Sequence, residues 1–106
     1  CTLGDSSLMI VRNRKIVLKP NHTYINKKHN VPAQIGVSDK KIQWIKCKSH
    51  IFRIKPHDYI ILCSDGVTDN LSYNEIIRYP FAKLLCHNAK QANKKRDDIS
   101  AVCIQV

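Results

Sequence analysis

The sequence predicts an α+β domain in which antiparallel strands carry helices on one side. Three observations predict it. Runs rich in β-branched residues pair across short polar links, residues 8–11 with 16–18 and residues 51–54 with 59–63. A capping box and then apolar residues at helical spacing follow between residues 72 and 89. A last apolar run, residues 99–106, closes the chain as a strand.

Each element has its own justification. Leu8-Met9-Ile10-Val11, polar Arg12-Asn13-Arg14-Lys15 and apolar Ile16-Val17-Leu18 read as a hairpin. Residues 19–41 hold few apolar side chains, carry Pro20 and Pro32, and read as loop; residues 43–45 read as a short edge segment. Ile51, Phe52 and Ile54 lead through the turn-like Lys55-Pro56-His57-Asp58 into Tyr59-Ile60-Ile61-Leu62-Cys63. The unbroken apolar character of that last run suits a strand buried on both faces, the second arm of a second hairpin. Ser64-Asp65-Gly66 then breaks sharply into a loop. Ser72-x-x-Glu75 starts a helix that Pro80 interrupts, and Phe81, Leu84, Leu85 and Ala89 define a second, amphipathic helix. Residues 91–96 read as a loop before the closing strand.

Composition excludes several classes. The chain has 106 residues, one domain's worth, and only three Gly and four Pro, which rules out a collagen-like or low-complexity polymer. Its longest apolar run, Tyr59 to Cys63, is far short of the ~20 residues a membrane span needs. The first residues show no basic patch followed by an apolar stretch, so no secretory signal is expected, and the missing initial Met suggests part of a longer protein. Five cysteines, Cys1, Cys47, Cys63, Cys86 and Cys103, form no C-x-x-C pair. An odd set of this kind supports neither a disulfide framework nor a zinc knuckle, and an intracellular, reducing compartment is expected.

Charge is unevenly spread. The formal net charge is +10, and residues 1–60 hold twelve of the eighteen bases but three of the eight acids. Such a surface attracts phosphate on nucleic acid, membranes or phosphoproteins. No basic run exceeds three residues and no aromatic lies within one, which disfavours a nucleic-acid-binding protein as the reading. A general compositional skew explains the bases equally well.

The acids are more informative. Asp5 precedes the first hairpin, Asp65 follows the central strand, Asp69 lies four residues on, and Asp97 and Asp98 precede the last strand. Taken one at a time, each is more often a turn residue than a ligand. If these strand ends converge, like charges would repel unless a cation held them, and a hard divalent ion suits oxygen ligands.

Order and context carry a family resemblance. Gly4-Asp5-Ser6 with its hairpin, then Ile60-Ile61-Leu62-Cys63-Ser64-Asp65-Gly66-Val67-Thr68-Asp69-Asn70-Leu71-Ser72-x-x-Glu75, then Arg96-Asp97-Asp98-Ile99-Ser100, closely resemble the C-terminal half of the PPM family. These are metal-dependent serine/threonine phosphatases of type 2C. The resemblance covers nearly the whole chain, residues 1–106, and its most specific part is the strand leading into Ser-Asp-Gly-x-x-Asp. His29-Asn30-Val31-Pro32-Ala33-Gln34 looks most like a compact branch that includes mitochondrial and organellar members.

The resemblance implies part of a four-layer α-β-β-α sandwich with antiparallel sheets, incomplete in this chain, which would be the C-terminal portion of one catalytic domain. It implies Asp65 and Asp97 as ligands of a two-metal Mg2+ or Mn2+ centre, and Asp5 and Asp69 as residues of a third, weaker metal site. Asp98 stands where the family usually has Asn, in a place whose side chain is not a principal ligand. The implied activity is hydrolysis of phosphoserine and phosphothreonine in phosphoprotein substrates by a metal-activated water. The family's early acidic residue, its Asp-Gly-His-Gly-Gly loop and its phosphate-binding arginine do not appear in these 106 residues, so the chain alone is expected to be inactive. A catalytically dead, protein-binding relative is the alternative. The five histidines, His22, His29, His50, His57 and His87, match no catalytic position and are expected at the surface. The residues do not specify an oligomeric state.

Overall fold

A computed structural model describes residues 2–26, 28, 31–32 and 49–106. The first hairpin forms as expected, from β1 (Ser7–Arg12) and β2 (Lys15–Leu18). Asn13 and Arg14 at its tip both have positive φ, 50° and 61°, the backbone twist that two-residue hairpin turns favour. In the stretch expected to be loop, β3 (Tyr24–Asn26) and β4 (Val31–Pro32) form a small antiparallel pair. A pairing of three residues with two needs no apolar periodicity, so composition did not show it. The expected edge segment at 43–45 lies outside the described residues, as do Cys1, Cys47 and His29.

The centre of the fold is β5 (Tyr59–Cys63), flanked on one side by β1 and on the other by β6 (Ala101–Gln105). The order is β2-β1-β5-β6, antiparallel throughout, with Met9 opposite Ile61 and Ile61 opposite Cys103. The expected second hairpin is therefore absent. Both hydrogen-bonding edges of β5 are occupied, so residues 51–54 have no edge to join, and Ile51 is fully exposed.

After β5 the chain forms α1 (Asp65–Thr68), α2 (Tyr73–Arg78) and α3 (Ala82–Ala92). The first of these corrects the loop expected after Cys63: Ser64 is the N-cap of a single helical turn. The capping box at α2 is complete, with Ser72 Oγ accepting from the Glu75 amide at 3.3 Å and Glu75 Oε2 accepting from the Ser72 amide at 2.7 Å. Pro80 ends that helix, because the residue before a proline avoids helical geometry. The amphipathic helix α3 runs to Ala92 and stops at Asn93, whose left-handed φ of 47° caps it. Leu85 and Ala89 are buried, whereas Phe81 and Leu84 are exposed, so its buried stripe is narrower than the spacing suggested.

The core lies between the helices and one face of the sheet. Met9, Val11, Ile61 and Cys63 point from the strands toward Val67, Leu71, Ile76, Leu85 and Ala89. The opposite face is apolar too, but Leu62, Val102 and Ile104 on it are 44%, 54% and 48% exposed. Tyr59–Cys63 is thus buried on one face, not both, since the helices cover only one side. One antiparallel sheet with helices on a single face is what an incomplete four-layer sandwich leaves. Among the described residues, no helix is long and apolar enough to cross a membrane.

One ion pair ties the strands together at the end remote from Asp65. Arg12 at the end of β1 donates from Nε and Nη2 to the two oxygens of Asp58, at 2.9 and 2.8 Å, while the Lys55 amide donates to Asp58 Oδ2 at 2.8 Å. The Arg12 guanidinium also lies 5.8 Å from the centre of the Phe52 ring. The Asp58 side chain has no exposed surface, and its hydrogen bonds to Arg12 hold its carboxyl down at about 2. Because that value lies below the ordinary 3.8, the stabilisation is complete above pH ~4 and is lost as pH falls toward 2. Asp58→Asn should lower the melting temperature at neutral pH and flatten its decline between pH 4 and pH 2, measured by circular dichroism across that range.

Candidate metal centre

The site is built at the other end of the sheet, where β5 ends and β6 begins. Asp65 opens α1, Asp69 is its C-cap residue, and Asp97 lies in the segment leading into β6. One carboxylate oxygen from each of Asp65, Asp69 and Asp97 lies within 4.8 Å of the other two. Asp65 is half-buried, and Asp69 and Asp97 are exposed. Burial, and then the charges of Asp5, Asp97 and Asp69, push the Asp65 carboxyl above its ordinary value. Asp97 Oδ1 also accepts from the Asp98 amide at 2.8 Å, which orients that carboxylate. Asp98 contributes backbone to the site, its carbonyl accepting from Ser64 Oγ at 3.1 Å.

What brings the two acidic segments together is a close backbone approach. A Cβ on Gly66 would collide with the Asp98 carbonyl oxygen and crowd Ile99, so only glycine lets α1 lie against the 97–99 segment. Asn70, fully buried, clamps the same contact. Its Nδ2 donates to the Gly66 carbonyl at 2.7 Å and the Lys95 carbonyl at 2.9 Å, and its Oδ1 accepts from the amides of Lys94 and Lys95 at 2.7 and 2.9 Å. All four hydrogen-bonding positions of one side chain are used. Ser64 adds a third tie, exchanging backbone and side-chain hydrogen bonds with Ser100.

Asp5 arrives by a separate route. Gly4 has φ 99°, a left-handed turn, and its amide and carbonyl bond to Thr23 Oγ1 and the Thr23 amide at 2.7 and 2.8 Å. That pairing sets Asp5 beside His22 and Tyr24. A cleft of about 330 Å³ is lined by Asp5, His22, Tyr24, Asp65 and Asp69, among others. Asp5 lines this cleft without joining the tight trio. Burial and the Asp5 charge push the Tyr24 hydroxyl pKa upward. Among the described histidines, His22 departs from the surface position expected: it is half-buried in this cleft and shares a 2.8 Å hydrogen bond with Ser7 Oγ.

The donor set suits a hard divalent cation. All three close donors are carboxylates, anionic oxygen ligands of the kind Mg2+ and Mn2+ prefer over thiolate or imidazole. One positive charge is already present, because Lys95 Nζ donates to Asp69 Oδ2 at 2.8 Å, and that bond raises the Lys95 pKa. The sequence reading singled out the aspartates and missed Asn70, Thr23 and Lys95. Asn70 was visible only as the residue after Asp69, and nothing in its spacing marks a buried clamp.

No protein-family model matches the sequence, and no curated protein sequence matches it. Solved structures do. The photosystem II phosphatase PBCP superposes with a TM-score of 0.71 at 21% identity, over 84% of this chain and 38% of that one. PppA, a regulatory component of T6SS in Pseudomonas aeruginosa, gives 0.69 at 20% identity, over 95% and 48%. The S. agalactiae serine/threonine phosphatase gives 0.60 at 19% identity, over 98% and 52%. The chain carries part of the PPM-type phosphatase fold. It spans about half the length of these PPM-fold structures or less.

The packing makes two variants informative. Gly66→Ala should push the 97–99 segment off α1 and weaken Mn2+ binding by the intact protein about 10- to 100-fold, read by calorimetric titration. Asn70→Ala strands buried amide and carbonyl groups and should cost about 2–3 kcal/mol of stability, read by denaturant unfolding.

Proposed function

We propose that this chain is the C-terminal portion of a PPM-type catalytic domain, and that the intact protein is a metal-dependent protein serine/threonine phosphatase. The observation that carries the reading is the trio of carboxylates within 4.8 Å on a PPM-type fold, placed at the strand ends. Asp65 and Asp97 would be ligands of a two-metal centre of Mg2+ or Mn2+, with Asp69 and Asp5, which line the same cleft, serving a third, weaker site. Bound ions of this kind supply Lewis acidity, making water a nucleophile at neutral pH and neutralising phosphate charge.

The chain's own residues then have distinct tasks. The α1 turn fixes the backbone of Asp65, so its side chain starts from a set position before any ligand arrives. Asp97 is aimed by the Asp98 amide, and Asn70 holds both segments in register. The remaining ligands and the phosphate-binding arginine belong, on the family resemblance, to a segment outside these 106 residues, so the chain alone is inactive. The substrates are phosphoproteins rather than nucleic acid, in a reducing cytoplasmic, mitochondrial or other organellar compartment.

Mn2+-dependent hydrolysis of a phosphothreonine peptide by the intact protein is the direct test. Asp65→Asn should reduce kcat/KM at least about a hundredfold. Equal rates for the two proteins would sink the role of Asp65. A folded intact protein with no hydrolysis at any Mn2+ concentration would favour a catalytically dead, protein-binding relative.

A further inference from the structure

Lys95 is unusual for its position. Its backbone amide and carbonyl are both held by Asn70, at 2.9 Å each, so the root of the side chain is fixed beside Asp69. Its tip is free by comparison: the side chain is 49% exposed and reaches Asp69 Oδ2 at 2.8 Å, with Asp69 34% exposed. The oxygen-bearing group it occupies belongs to the trio within 4.8 Å. The pair is solvent-exposed, so the ammonium can leave without a large desolvation or strain penalty.

Three carboxylates this close need positive charge nearby, and Lys95 supplies it without any ligand. We propose that Lys95 is a built-in counter-cation of the aspartate cluster, which a divalent ion must displace before it can take Asp69 Oδ2 as a ligand. The inference rests on the reading of the trio as a metal centre. Lys95 then sets how many ions the cluster takes and how tightly. Asp65 and Asp97 are available to a cation while Lys95 stays in place, whereas Asp69 can offer both of its oxygens only when the ammonium swings toward solvent. Metal binding at Asp69 therefore competes with an intramolecular cation. Removing that cation also removes its repulsion of the incoming dication.

The test is Mn2+ binding to the intact protein, followed by calorimetry and by the electron paramagnetic resonance signal of free Mn2+, neither of which depends on turnover. Lys95→Met should tighten the weakest Mn2+ site about three- to tenfold, and Lys95→Arg, which keeps the charge, should stay close to wild type. Adding Asp69→Asn to Lys95→Met should abolish most of that gain. If wild type binds Mn2+ and Lys95→Met binds it no more tightly, the role of Lys95 is overturned while the metal centre stands. If neither protein binds Mn2+, the metal centre itself is overturned, and this inference with it.

Discussion

The backbone contact between Gly66 and Asp98 is the constraint on which the site depends. Asp65 and Asp97 stand about thirty residues apart in the chain, on opposite sides of two helices. They face each other because α1 can lie directly on the 97–99 segment that enters β6, an approach a single methyl group would prevent. Asn70 converts that approach into a fixed geometry, since its amide satisfies two carbonyls and two amides belonging to both partners. The buried Leu71 and Val67 then anchor the α1 turn in the core, so apolar packing and site geometry share one segment.

Electrostatics supplies the second layer. In a chain of net charge +10, five acids gather around or beside one end of the sheet, while Asp58 is neutralised by Arg12 at the other. Like charges a few ångströms apart cost roughly 1 kcal/mol per pair even in bulk water, and more where water is excluded. Burial first, and then that repulsion, raises the Asp65 carboxyl above its ordinary value. Asp58 shows the contrary arrangement, a buried carboxylate that accepts hydrogen bonds from Arg12 and the Lys55 amide. One end of the sheet is satisfied internally, whereas at the other the carboxylates gather with Lys95 beside Asp69.

How much of this was legible in the sequence follows from the range of each interaction. The first hairpin, the capping box at Ser72 and Glu75, α3 and the closing strand are local, and their residues announce them. The second hairpin misled because residues 51–54 have strand-like composition, while pairing depends on which edges of β5 remain open, a property of the whole sheet. The α1 turn was hidden for a different reason: four residues of helix have no period to detect. The aspartates were legible because carboxylates are scarce in a basic chain and stand at strand ends. Asn70, Thr23 and Lys95 were not, since a clamp, a turn partner and a counter-charge declare themselves only by what they touch.

The position of β6 carries a consequence for the lifetime of the site. Among the described residues it is an outer strand of the sheet, beside β5, and edge strands open more readily than central ones. Asp97 leads directly into it, so opening of β6 would disperse the trio along with the contacts that Ile99, Ala101 and Cys103 make to the core. A cation held by Asp65 and Asp97 would act as a staple across that opening, binding only the closed form. Amide hydrogen exchange along residues 101–105 and metal occupancy would then report the same equilibrium, seen from the backbone in one case and from the ligand in the other.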